Sequence, residues 1–123
     1  MLRHSVGRPL LDYAREKLFD PLGIDTRPAW QGWDVEAGLR RPGFAWGADR
    51  DGTNSGCCRL KLTAPDMLKI GLLYLDQGRW QGRQLVSSQW VRESTTNKLT
   101  KDQSSPDVRY GYFWWVGDAE YHP

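Results

Sequence analysis

The chain has 123 residues, 39% of them hydrophobic and 26% charged, with a net charge of +2. This is the composition of a folded chain long enough for one ordinary core, and it excludes intrinsic disorder. Acidic and basic residues are mixed with no Lys/Arg block, so nucleic acid is not a predicted partner, and no apolar stretch approaches the ~20 residues of a membrane span.

The opening residues, Met1-Leu2-Arg3-His4-Ser5-Val6-Gly7, do not read as a secretion signal. Gly7 has the place of a helix C-cap, and Pro9 suits the first turn of a new helix. Leu10, Leu11, Ala14, Leu18 and Phe19 recur at helical spacing, and Asp20-Pro21 ends that helix because proline cannot continue it. Leu22-Gly23-Ile24 predicts a tight apolar turn. Residues 25–58 then read as one long loop, rich in Gly, Pro and Trp and without sustained periodicity. Arg59-Leu60-Lys61-Leu62 alternates like a short strand. Thr63-Ala64-Pro65-Asp66 is a helix start, with Thr63 as cap and Asp66 reaching back like a capping-box acid. The helix that follows is apolar nearly all round and predicts burial on most sides, with Gly71 against a close-packed neighbour. Gln77-Gly78 ends it, Gln81-Gly82 predicts a two-residue hairpin turn, and Ser87 caps a third helix with Trp90 and Val91 facing inward. The polar stretch 95–108 reads as loop. Tyr110-Gly111-Tyr112-Phe113-Trp114-Trp115-Val116 reads as an aromatic strand that needs partners on both faces and edges. Gly117-Asp118 is the turn after it and Tyr121 begins a return, so the chain reads as a middle piece of a larger protein, with an open aromatic edge that predicts poor solubility.

Chemical motifs are read mostly by elimination. In Gly52-Thr53-Asn54-Ser55-Gly56 the serine stands one place too late for a nucleophile elbow, and no apolar strand precedes it. Asp49 and Asp51 hint at a calcium loop, but Leu60 stands where a bidentate Glu is needed, so a solvated turn is expected. Cys57 and Cys58 are adjacent, which disfavours a disulfide between them, and no Cys/His set with zinc spacing exists. There is no phosphate-binding glycine loop and no Ser-x-x-Lys. His4 and His122 stand at opposite ends, and His122 draws more interest because it follows the aromatic strand. No cofactor and no metal are expected. Of the seven tryptophans, Trp80, Trp90, Trp114 and Trp115 read as core. Trp30, Trp33 and Trp46, in the long loop, stand evenly between packing and lining a pocket.

The order of segments carries a resemblance. Gly7-Arg8-Pro9-Leu10-Leu11-Asp12-Tyr13-Ala14 leads into Leu18-Phe19-Asp20-Pro21-Leu22-Gly23-Ile24. Leu62-Thr63-Ala64-Pro65-Asp66-Met67-Leu68-Lys69-Ile70-Gly71 and Leu73-Tyr74-Leu75 follow, then Gly78-Arg79-Trp80-Gln81-Gly82-Arg83-Gln84-Leu85-Val86-Ser87 with Trp90-Val91, and Tyr110-Gly111-Tyr112-Phe113-Trp114-Trp115 closes the series. This succession, which spans nearly the whole chain, resembles the serine beta-lactamase-related family: class C beta-lactamases, D-Ala-D-Ala carboxypeptidases and esterases of the same fold. Cys57-Cys58 departs from it, standing where relatives often show glycines.

The resemblance implies an α+β fold, with residues 1–107 in the helical subdomain, including the loop 25–58, and residues 108–123 opening the antiparallel sheet. It implies acyl transfer through a serine ester, with a small-molecule ester, amide or beta-lactam as the substrate of the full-length parent. The family's three motifs are a Ser-x-x-Lys, a Tyr-x-Asn or Tyr-x-Ser, and a Lys-Thr-Gly or His-x-Gly element. All three are missing from this chain, which falls between the second and the third, so no catalytic residue carries over. The implied role is supporting: Trp30, Trp33, Trp46 and His122 are the candidates for lining the substrate pocket. The compartment of the parent, periplasm or cytoplasm, is left open. Two rival readings accompany this one: a non-enzymatic module that binds a ligand through its loop tryptophans, and a relative that has lost its serine.

Overall fold

Pro9 holds the N-cap position of the first helix, Leu10–Ala14 (α1), and the chain runs on into a π-helical turn, Arg15–Phe19. That turn closes with the Asp20 N–H donating to the Arg15 carbonyl at 2.9 Å, and the chain turns away at Asp20-Pro21 as expected from the proline. The helix face at Leu11 and Phe19 is buried, together with Leu22 and Ile24 of the turn that follows. The computed structural model describes residue 5 and residues 7–56, 58–99 and 109–116. His4, Cys57, His122, the turn at Gly117-Asp118 and the return at Tyr121 lie outside the described residues. The described elements make an α+β fold of short helices and small antiparallel sheets, arranged in two compact units, Met1–Leu72 and Leu73–Pro123.

On the exposed side of the first helix, Glu16 meets the Arg8 guanidinium at 2.6 Å and the Lys17 ammonium at 2.5 Å. Arg8 first, then Lys17, lower the carboxyl from its ordinary 4.5 to about 2. The folded value lies below the unfolded one, so the stabilisation from this cluster is present above about pH 4.5 and is lost as pH falls toward 2. A carboxyl-detected NMR titration is expected to give Glu16 the depressed midpoint. Arg8→Ala is expected to move it back up, and an unmoved midpoint would remove Arg8 as the cause.

The segment 25–58 is not the structureless loop that its composition predicts. It contains a helix, Val35–Arg40 (α2), and a short strand, Ala45–Trp46 (β1). Asp34 caps α2 by accepting from the Ala37 N–H at 3.2 Å. β1 pairs antiparallel with Leu60–Lys61 (β2), and Trp30 bridges β1 from its other edge in parallel sense. The alternation at 59–62 therefore does mark a strand. Such two-residue pairings between residues far apart in sequence carry no local periodicity. Arg15 of the π-helical turn clamps the start of this segment. Arg15 donates from Nε to the Thr26 hydroxyl at 2.9 Å and from Nη2 to the Thr26 carbonyl at 3.1 Å, satisfying a residue with no exposed surface.

Thr63 starts the long helix Ala64–Leu75 (α3) as its sequence predicts. The Thr63 hydroxyl accepts from the Asp66 N–H at 3.3 Å and donates to the Asp66 carboxylate at 2.7 Å. The expected burial of this helix is corrected. Leu73 is buried, while Met67, Leu68, Leu72 and Leu75 are exposed. Gly71 likewise has no close neighbour: nothing stands within van der Waals reach of a Cβ added there.

The second unit follows the turn rules closely. Gln77 and Gly78 both take positive φ, and the Gly78 N–H donates to the Leu73 carbonyl at 2.7 Å, ending α3. Arg79–Trp80 (β3) and Arg83–Gln84 (β4) form the predicted hairpin, with Gln81 and Gly82 at φ of 49° and 79°. Ser87 caps Ser88–Ser94 (α4) by accepting from the Trp90 N–H at 3.1 Å. Ser87→Ala is expected to cost about 1 kcal/mol, read as a lower urea midpoint at unchanged slope. An unchanged midpoint would remove the cap from the account of α4.

Two further expectations are corrected here. Val91 is buried, but Trp90 beside it is 48% exposed; Trp80 and Trp114 are half-buried and Trp115 is exposed, so none of the four is fully buried core. The aromatic run is not one continuous strand. Tyr110 pairs with Trp115, and Val116 donates to the Arg109 carbonyl at 3.0 Å, with Phe113 at φ 64° in the turn between. Folding back lets the rings pack on each other and their neighbours: Tyr110 on Trp115, Tyr112 on Trp90, and Trp114 on Tyr74.

Candidate functional site

The three loop tryptophans serve different ends. Trp46 is buried on β1, edge-on to Phe19 with ring centroids 6.0 Å apart, and its Nε1–H donates to the Ser55 carbonyl at 2.8 Å. Phe44 meets the same Phe19 ring at 5.5 Å, so these aromatics form the centre of the first unit. Trp30 lies over two backbone surfaces, since a Cβ added to either Gly32 or Gly38 would overlap its six-membered ring. Its indole thus fills the gap beneath α2, beside Ala45, Arg59 and Lys61. Trp33 is 65% exposed. A main-chain bond joins Trp30 to Trp46, whose N–H donates to the Trp30 carbonyl at 2.9 Å. His122 lies outside the described residues.

A cleft of about 190 Å³ does border this segment, lined by Asp25, Arg27, Pro28, Pro42, Phe44, Lys61 and Asp66 among others. Its charged groups have partners within the unit. Arg27 holds Asp20 through two contacts of 3.2 and 3.3 Å, and its guanidinium pKa is raised by that carboxylate. Asp66 is held down by the Thr63 hydroxyl and then by Lys69 at 2.9 Å, and Lys69 also donates to the Gly23 carbonyl at 2.6 Å. Lys61 donates to the Leu39 carbonyl at 3.1 Å and to the Arg41 carbonyl, closing the C-terminal end of α2. Asp25 accepts from the Arg27 N–H at 2.9 Å. Such a wall can shape a cleft and orient a polar ligand.

The side-chain hydroxyls of the helix ends are committed to structure: Thr63 and Ser87 cap, and Ser94 donates to the Val91 carbonyl at 3.2 Å. The Asp49 carboxylate accepts from the N–H groups of Asp51 and Thr53 at 3.0 and 2.8 Å, the turn expected there in place of a calcium loop. Among the described residues no group of three or more His, Cys, Asp or Glu side chains is placed to hold a metal ion. Among those residues, too, no helix is long and apolar enough to cross a membrane.

Residues such as Asp25, Arg27, Lys61 and Asp66 escape a reading of the sequence because they come from two distant stretches of it, 25–27 and 61–66. The local signal is limited to Asp25-Thr26-Arg27, a polar triplet directly after an apolar turn. No family model and no curated protein matches the chain.

Proposed function

We propose that this chain is a supporting, non-catalytic part of a beta-lactamase-related serine hydrolase, an enzyme that cleaves an ester, amide or beta-lactam through an acyl-serine. The structural observation that carries this reading is the uncovered apolar face of α3. Leu68, Leu72 and Leu75 recur at helical spacing on one side, with Met67 beside them, and all four are exposed. An apolar stripe of this kind marks a surface that another part of a protein covers. The order of segments that resembles the serine beta-lactamase-related family supports a hydrolase of that kind as the protein, and the resemblance implies that the helix with the stripe belongs to its helical subdomain. The cleft beside Phe44 and Lys61 is the corresponding contribution to the substrate pocket, polar and charge-balanced rather than reactive.

The test uses a fluorophosphonate or a fluorescent beta-lactam on the product of the longest reading frame that contains this chain. Labelling is expected on a serine outside residues 1–123, and the 123-residue chain alone is expected to turn over neither a chromogenic ester nor a chromogenic lactam. An adduct on a serine within this chain, or turnover by the chain alone, would overturn the supporting role. Absence of labelling from the longer product would overturn the hydrolase itself.

A further inference from the structure

The second unit carries an exposed aromatic face unconnected with acyl transfer. Trp90 on α4 and Tyr112 in the folded-back aromatic run stack nearly parallel, centroids 5.7 Å apart and planes 16° apart, and both remain open to solvent at 48% and 44% exposure. An open cleft of about 340 Å³ lies against them, lined also by Ser87, Gln89 and Glu93. That volume falls at the lower end of the ~300–1,000 Å³ of small-molecule sites. Gln89 and Glu93 stand four apart on α4 and so neighbour each other, and both line the cleft with Trp90. Tyr112 is held by backbone: its N–H donates to the Ser94 carbonyl at 2.8 Å, and the next residue, Phe113, sits in the left-handed region. A non-glycine residue in that region marks a place where surrounding structure imposes the conformation.

Charge decides the class of ligand. Glu93 would draw a cation onto two aromatic faces, but Lys98 already meets it at 2.7 Å and lies 5.1 Å from the centre of the Tyr112 ring. The cation-attracting position is thus filled by the protein itself. What remains is an apolar ring surface bordered by a donor, Lys98, an acceptor, Glu93, and an amide that does both, Gln89. We propose that this site binds a neutral saccharide, one pyranose ring laying its C–H face on the exposed part of the Trp90 ring, which Tyr112 backs from the stacked side, and sharing its hydroxyls among Gln89, Glu93 and Lys98.

The experiment is saturation-transfer NMR on the full chain with cellotriose, chitotriose and maltotriose, each at millimolar concentration, and with tetramethylammonium chloride as the cationic probe. Transfer to the ring C–H protons of at least one trisaccharide is expected. Trp90→Ala is expected to weaken it about tenfold. Glu93→Gln, an exposed change that leaves the packing intact, is expected to weaken it measurably, and Trp33→Ala to leave it unchanged. If Trp90→Ala loses the near-ultraviolet dichroism of the folded chain, Glu93→Gln and Gln89→Ala decide in its place. No transfer from any of the three sugars would overturn the proposal. So would undiminished binding by both Glu93→Gln and Gln89→Ala, an equal loss in Trp33→Ala, or displacement of the sugar by tetramethylammonium.

Discussion

Phe19→Ala is expected to leave the unit Met1–Leu72 largely unfolded at 25 °C. Phe19 is buried between Phe44 and Trp46, with edge-on contacts to both rings. Truncating a buried phenylalanine costs about 3–5 kcal/mol, and a core of this size rarely supplies more than ~3–5 kcal/mol in total. The loss therefore consumes most of the stability available. The reporter is built in, because Trp46 emission depends on its burial and on the bond to the Ser55 carbonyl. A red-shifted emission spectrum and loss of the cooperative urea transition are the expected readouts. An unshifted spectrum with an unchanged midpoint would mean that Phe19 is not the centre of this core.

Gly78→Ala has the second largest expected effect. Gly78 sits at φ 83°, and a Cβ built there would overlap the Val86 carbonyl, a main-chain group that cannot swing aside. The left-handed conformation costs a residue with a Cβ roughly 1–2 kcal/mol, and forcing atoms into a filled space adds about 1–3 kcal/mol. Gly78 also accepts from the N–H groups of Leu85 and Val86 at 2.9 and 3.1 Å, so moving it loosens the β3–β4 hairpin. Thermal unfolding followed by far-ultraviolet dichroism is expected to show a drop of many degrees. A variant melting with the parent would show that the turn relaxes freely and that the close approach carries no energy.

These two sites differ in how visible they are in the sequence. Gly78 is legible, since a glycine after a helical run and before a turn announces its conformation. The same holds for Pro9, Asp20-Pro21, Thr63, Gln81-Gly82 and Ser87, each acting on its immediate neighbours. The centre around Phe19 is not legible, because Phe44 and Trp46 reach it from a stretch with no period of its own. Trp30 illustrates the difficulty further: its slot exists because Gly32 and Gly38 lack side chains, and neither glycine announces a partner.

Exposure is the other quantity that composition misjudges. A helix apolar nearly all round and an aromatic heptapeptide both argue for burial, yet α3 leaves Leu68, Leu72 and Leu75 open, and the aromatic run folds on itself with Phe113 and Trp115 outside. Hydrophobicity states what a segment needs to be covered and not whether the same chain covers it. Of the candidate pocket residues, Trp46 and Trp30 have been drawn into packing, and Trp33 stands on the surface. The charged residues that border the cleft, Asp25, Arg27, Lys61 and Asp66, come from distant stretches and are recognisable as neighbours only once the chain has folded.

The most direct test of the hydrolase assignment is to read the DNA flanking both sides of the coding region for this chain. An in-frame Ser-x-x-Lys and Tyr-x-Asn or Tyr-x-Ser are expected upstream, and a glycine-containing strand motif downstream. Stop codons on both sides with none of these motifs would contradict it, and the uncovered face of α3 would then need an occupant other than the rest of a serine hydrolase.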